Sequence, residues 1–156
     1  MENVNVRSKD LDNIITFNIT VKDLDSLTVS GLGAVKINGL ETKSLDLVMS
    51  GLGAIKIDDL AAETITITVS GLGGVTVTGT AKHVEVETSG GGEINAANLK
   101  CQTANANISG FGTATLWVID ELNGEISGTG NVRYYGDPRT HINSTGVGKF
   151  EWLGNK

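Results

Sequence analysis

A sevenfold recurrence of Ser-Gly-x-Gly, with Thr for Ser in the last copy, constrains this chain more than any other feature. The copies start at Ser30, Ser50, Ser70, Ser89, Ser109, Ser127 and Thr145, separated by 20, 20, 19, 20, 18 and 18 residues. A fixed period of this size marks a repeat architecture. Both glycines recur in every copy, while the residue between them varies: Leu32, Leu52, Leu72, Gly91, Phe111, Thr129 and Val147. Fixed glycines around a free position point to a backbone requirement, either a corner with φ > 0 or a close approach of stacked chains.

Each repeat carries two stretches of period-two patterning, the signature of half-buried strands. Before the motif lie Leu45, Leu47 and Met49, then Ile65, Ile67 and Val69; after it lie Val35 and Ile37, Ile55 and Ile57, and Val75 and Val77. Ten residues after the Ser, Leu40, Leu60 and Leu99 add an apolar corner. One such repeat cannot bury its apolar face alone, but stacked coils align identical positions into ladders. The expected fold is all-β, a parallel β-helix (β-solenoid) of about seven coils of 18–20 residues. Residues 1–156 read as one domain: 1–22 form an irregular N-terminal coil or cap and 23–154 the stacked repeats. Ala61-Ala62-Glu63 and Asn95 to Asn98 read as short connecting turns, and Ala104, Ala106 and Ala114 thin the fifth coil. Phe17 at one end and Phe150 and Trp152 at the other read as covers for the open strand edges.

Composition narrows the function. Lys and Arg number 12 against 18 Asp and Glu, a net charge of -6. Nucleic acid is therefore not an expected partner, because its recognition needs basic surface. No apolar run approaches the roughly 20 residues of a membrane helix, so no membrane insertion is expected. The start, Met1 to Arg7, has no hydrophobic signal-peptide core. Gly-x-Gly here lacks the Lys and following helix of a phosphate loop. The residue after the second glycine is acidic only at Glu93, so neither a calcium ladder nor any other metal or cofactor site is expected. Asp58 and Asp59 have no acidic counterparts in adjacent copies, and the only cysteine, Cys101, lies in a different repeat from His83 and His141. No catalytic constellation emerges.

Two surface features stand out. Eight residues after the Ser, the series Asn38, Asp58, Thr78, Ala97, Trp117, Tyr135 and Leu153 should form an outward ladder. In it Trp117 and Tyr135 are adjacent, flanked by Arg133 and Lys149. This is either a recognition surface for a glycan or protein, or a cap on the C-terminal end. The second is the series Leu32, Leu52, Leu72 and Phe111. Facing out, it would be a self-association stripe giving a homodimer; turned inward at the corner, it would be core.

The recurring motif with its flanking strands resembles the bacterial putative auto-transporter adhesin, head GIN domain family. Leu24 to Gly31 is similar to that family's first Ser-Gly copy. Gly128-Thr129-Gly130-Asn131-Val132-Arg133-Tyr134-Tyr135-Gly136-Asp137-Pro138 is similar to its closing motif. The resemblance implies a right-handed parallel β-helix, exported to the cell envelope or exterior, with an adhesin role and no defined catalytic residues. It also implies a longer N-terminal part with an export signal, so that this chain begins partway in. Where family copies read Ser-Gly-Ser-Gly-Asp, this chain has Leu and then Ala or Gly in its first three copies, which favours an apolar contact there. The expected function is a non-enzymatic binding or structural module; the alternatives are a solenoid enzyme acting on polysaccharide and a self-assembling scaffold.

Overall fold

The computed structural model describes residues 24–156 and the backbone of two earlier strands, β1 (Asn3–Arg7) and β2 (Ile15–Ile19). They are followed by β3 (Ser26–Ser30) and five long strands: β4 (Gly33–Met49), β5 (Ala54–Val69), β6 (Gly74–Thr88), β7 (Glu93–Ile108) and β8 (Thr113–Ile126). The chain closes with β9 (Asn131–Tyr135), β10 (Arg139–Ser144) and β11 (Phe150–Trp152). Every pairing is parallel, and none of the described residues is helical. Each long strand pairs with the next along both of its halves, so it wraps around the stack rather than crossing a flat sheet.

The result is a parallel β-solenoid of about six turns. Seven motif copies bound six intervals, which is why the turn count falls one short of the copy count. At about 4.8 Å per turn the stack is roughly 30 Å tall.

Register follows the motif. Leu45 pairs with Ile65, Ile65 with Val84, Val84 with Ala104 and Ala104 with Leu122. On the other side Val35, Ile55, Val75, Ile94, Ala114 and Val132 stack in the same way. These inward positions are almost fully buried. Leu40, Leu60 and Leu99 close the apolar corner, as their spacing predicts. Ala104, Ala106 and Ala114 are equally buried, so the small side chains do not open the fifth coil to solvent.

Two expectations are corrected. Ala61-Ala62-Glu63 lies within β5, and Asn95 to Asn98 within β7. Parallel stacking carries the hydrogen-bond ladder around a bend, so a change of direction needs no break in the strand. Instead β7 has a bulge: Ala96 pairs with Leu116 and Lys100 with Trp117, leaving Ala97, Asn98 and Leu99 unmatched.

The glycine requirement also resolves. Among the motif glycines of the described residues only Gly31 has a positive φ, at 90°. At the later copies the reason is proximity: a Cβ on either glycine would run into the carbonyl oxygen of the corresponding glycine one turn below.

At the C-terminal end Phe150 packs against the core and the Trp152 indole donates a 2.7 Å hydrogen bond to the Gly136 carbonyl. Phe150 is half-buried there, whereas Trp152 stays largely exposed. β10 lies on β8 with all six residues exposed. At the other end, the backbone at Phe17 pairs with Val35, while the Phe17 side chain and the remainder of the expected cap over 1–22 lie outside the described residues.

One interior position breaks the apolar pattern. Thr88 stacks between Val69 and Ile108, is buried, and its hydroxyl has no hydrogen-bond partner. A buried unpaired hydroxyl costs about 1–3 kcal/mol. Thr88→Val keeps the shape and removes that cost, so chemical denaturation should show a gain of about 1 kcal/mol or more. A loss of stability would mean that the hydroxyl is satisfied.

Candidate functional site

The residues between the motif glycines face outward. Leu52 is 57% exposed, Leu72 69%, Phe111 77% and Val147 78%; Leu32 is half-buried. The cause is local. With both flanking glycines pressed against the turn below, the middle residue has only solvent to point into. The ladder is held by backbone bonds from Leu52 N to Gly31 O (2.9 Å), Leu72 N to Gly51 O (3.2 Å) and Phe111 N to Gly90 O (2.9 Å). Leu72 leans over Gly91, its Cδ2 2.7 Å from where a Cβ on that glycine would stand. One corner of the solenoid thus carries an apolar ridge at Leu52 and Leu72, resumed at Phe111 and Val147 and interrupted by Gly91 and Thr129.

The aromatic pair sits on a different ladder from the one its spacing predicts. Asn38 does pair with Asp58, but Thr78 pairs with Asn98, and Trp117 pairs with Lys100 rather than Ala97. The ladder that contains the rings runs Glu41, Ala61, Thr80, Lys100, Trp117, Tyr135. The shortened period explains the shift. The coil from Ser109 omits three residues opposite Ala97, Asn98 and Leu99, then gains one opposite Gln102, where Ile119 and Asp120 stand against a single residue. Three fewer and one more give 18 in place of 20. That 18-residue spacing was the signal available in the sequence.

Glu41, Ala61, Thr80 and Lys100 of that ladder form one wall of an open groove of about 1050 Å³ that crosses successive turns, and Trp117 and Tyr135 continue the ladder past its lining. Its floor is the neighbouring ladder of Thr42, Ala62, Ala81 and Cys101, whose small side chains leave a trough. Charged residues rim it: Glu41, Lys43, Glu63, Lys82 and Lys100. Lys82 Nζ bonds Glu63 Oε1 at 2.9 Å and holds that exposed carboxyl below its ordinary range.

The rings have cations over them, though not the expected ones. Lys156 Nζ lies 5.2 Å from the Trp117 ring centre and 4.9 Å from that of Tyr135; Lys100 Nζ is 5.7 Å from Trp117. Arg133 instead pairs with Glu151, Nε to Oε2 at 3.1 Å. Lys149 stands beside Asn131, whose Oδ1 accepts its backbone N–H at 3.0 Å. That is four residues, roughly 13 Å, along the strand from Tyr135. Trp117 and Tyr135 are therefore brought together, with Lys100 and Lys156 as the cations over their rings. Nothing in the repeat pattern could have indicated Lys156.

Asp58 is ion-paired and Cys101 is buried. Asp58 Oδ2 sits 3.4 Å from Lys56 Nζ and 3.9 Å from Lys36 Nζ. Asp59, at φ 59°, occupies the bend opposite Gly39. Cys101 is buried, and desolvation pushes its thiol up to about 12. Among the described residues no group of three His, Cys, Asp or Glu side chains is placed to hold a metal ion.

A parallel β-solenoid with a lengthwise groove and a solvent-facing ridge defines the class: a β-helix module. The chain belongs to the family described as "Putative auto-transporter adhesin, head GIN domain", which it matches over residues 2–138. Among solved structures it is similar to a putative adhesin from Bacteroides fragilis NCTC 9343, with 30% identity and a TM-score of 0.81 over 83% of this chain. It shares its fold with a putative lipid binding protein from Parabacteroides distasonis ATCC 8503, with 22% identity and a TM-score of 0.72 over 88% of this chain. In each case the match spans 61% of the other protein's chain. No curated protein matches.

Proposed function

We propose that this chain is a non-catalytic, adhesin-like module displayed outside the cell, and that its groove binds an extended glycan. One observation carries the reading: the groove wall through Glu41, Ala61, Thr80 and Lys100 continues in register into Trp117 and Tyr135. A polar trough whose wall continues in aromatic rings suits a sugar chain, whose hydroxyls hydrogen-bond to the charged rim and whose C–H faces pack on rings. Membership of an adhesin-like family supports display at the surface.

A glycan array tests this. Wild type should bind a subset of glycans, and Trp117→Ala should lose at least about tenfold in affinity, or about 1.4 kcal/mol. The melting temperature should barely move. If Trp117→Ala destabilises the fold by more than about 1 kcal/mol while binding is unaltered, the aromatic pair is a cap and the reading fails.

The ridge favours a second reading, compatible with the first: lateral pairing of two copies. Exposed apolar residues stacked along one corner form a strip that a twofold partner can bury. Light scattering should find a dimer in wild type and a monomer in Leu72→Ser, with the melting temperature of the monomer unchanged apart from the lost association. A monomeric wild type would reject it. Leu72-dependent binding to lipid vesicles by that monomer would replace it with a lipid contact, the ligand class named for the Parabacteroides structure.

A further inference from the structure

We propose that Trp117, Tyr135 and the β7 bulge form a binding site for a primary ammonium group, and that Lys156 fills it as an internal, displaceable ligand. The site is the aromatic continuation of the groove wall described above, and this inference concerns its chemistry rather than requiring the glycan reading.

Four contacts converge on one atom. Lys156 Nζ donates to Ala97 O at 2.6 Å and to Asn98 Oδ1 at 2.6 Å, and it lies over Trp117 and Tyr135. Two acceptors and two aromatic faces are what a three-donor cation on a carbon stem can use together. The bulge supplies the backbone acceptor: Ala97, Asn98 and Leu99 have no partners on β8, and the Ala97 carbonyl accepts from Lys156 there, beside the Asn98 side-chain Oδ1. Asn95 fixes the bulge, its Oδ1 accepting the Ala97 N–H at 3.2 Å. The rings come from the next two turns, stacked through the Trp117–Tyr135 pairing. Three consecutive turns thus contribute to the site, and Lys156 is 59 residues from Ala97 in sequence.

The contacts contain no carboxylate, so the cation is held by neutral oxygens and ring faces rather than by an ion pair. Such a site discriminates an ammonium from an alcohol by charge and donor count, and the net charge of -6 favours approach of a cation. A tethered lysine acts at an effective concentration in the millimolar range, so an external amine must compete with it. The same chemistry is offered by an amino sugar and by a lysine side chain of another protein.

The test uses the full chain and the NMR signals of the Trp117 indole N–H and Asn98 side-chain amide. Wild type, Lys156→Ala and Trp117→Ala/Lys156→Ala are titrated with n-butylammonium, n-butanol, glucosamine, N-acetylglucosamine and N-acetyl-lysine methylamide. Lys156→Ala should show saturable shifts with n-butylammonium at millimolar concentration and none with n-butanol. Wild type should bind at least about twofold more weakly, as competition from a tethered lysine at millimolar effective concentration requires, and the double variant should not bind. Glucosamine and the lysine derivative then identify which source fits. Absence of saturable shifts in Lys156→Ala, equal response to n-butanol, or equal affinity in wild type each overturns the proposal. Unfolding of both Lys156→Ala and Lys156→Gln would make Lys156 a structural clasp and overturn it as well. If N-acetylglucosamine binds and n-butylammonium does not, the glycan reading stands and the ammonium site falls; the reverse result separates them the other way.

Discussion

Gly110→Ala should destabilise the solenoid by roughly 3 kcal/mol or more, while Gly74→Ala should leave it unchanged or up to about 1 kcal/mol more stable. Both replace a glycine by one methyl group near the same edge of the stack, yet their surroundings differ. A Cβ at Gly110 would run into the Gly90 carbonyl oxygen and stand 2.7 Å from the Ser89 carbonyl carbon. Backbone of the turn below cannot rotate away as a side chain can. Relief requires the two turns to separate, which would break the bonds from Phe111 N and Gly112 N to Gly90 O. At Gly74 the nearest atom to a new Cβ is Glu93 O, 3.9 Å away, and the equivalent positions already carry Ala34 and Ala54. Denaturant melts of the two variants check this. A Gly110→Ala protein as stable as Gly74→Ala would show that the glycine ladder is not a steric requirement.

A thiol reagent at pH 8 should label Cys101 about a thousand times more slowly in the folded chain than in urea. The thiol forms part of the groove floor, yet it is 2% exposed and its Sγ–H points to the Trp117 carbonyl at 3.3 Å. Burial raises its pKa from 9.0 to about 12, and the thiolate is the reactive form. Three units of pKa make the thiolate about a thousandfold scarcer at pH 8. The linkage has a definite sign. Because the folded pKa is the higher one, the folded chain holds the proton more tightly. This contribution to stability is complete below about pH 9 and is lost as pH rises toward 12. Folded-state labelling within tenfold of the unfolded rate would contradict the burial and reopen a nucleophilic role for this residue.

The repeats made the architecture legible from the sequence. Each coil states the same local requirements: two glycines at a corner, β-branched and leucine residues at alternate positions, polar residues between. Seven statements of one pattern leave a stacked parallel fold as the solution that buries every apolar set. The interior ladders, the buried corner leucines and the backbone origin of the glycines followed from that pattern. So did the adjacency of Trp117 and Tyr135, because two successive coils share the same 18-residue length.

Other features were decided only by packing in three dimensions. Counting from the Ser holds the phase constant around a coil. The fold instead holds constant the inward positions on both halves, and it absorbs length changes at the bends. The loss of three residues after Leu116 therefore moved Trp117 from the Asp58 ladder to the Lys100 ladder, next in register after the groove wall. The direction of Leu52, Leu72 and Phe111 was likewise open, because period two does not carry through a corner with two glycines; the close approach of stacked backbones turned them outward. Lys156 obeys no period at all. Its place over the two rings depends on the Ala97–Leu99 bulge and on the return of the chain past Gly154, both products of the assembled stack.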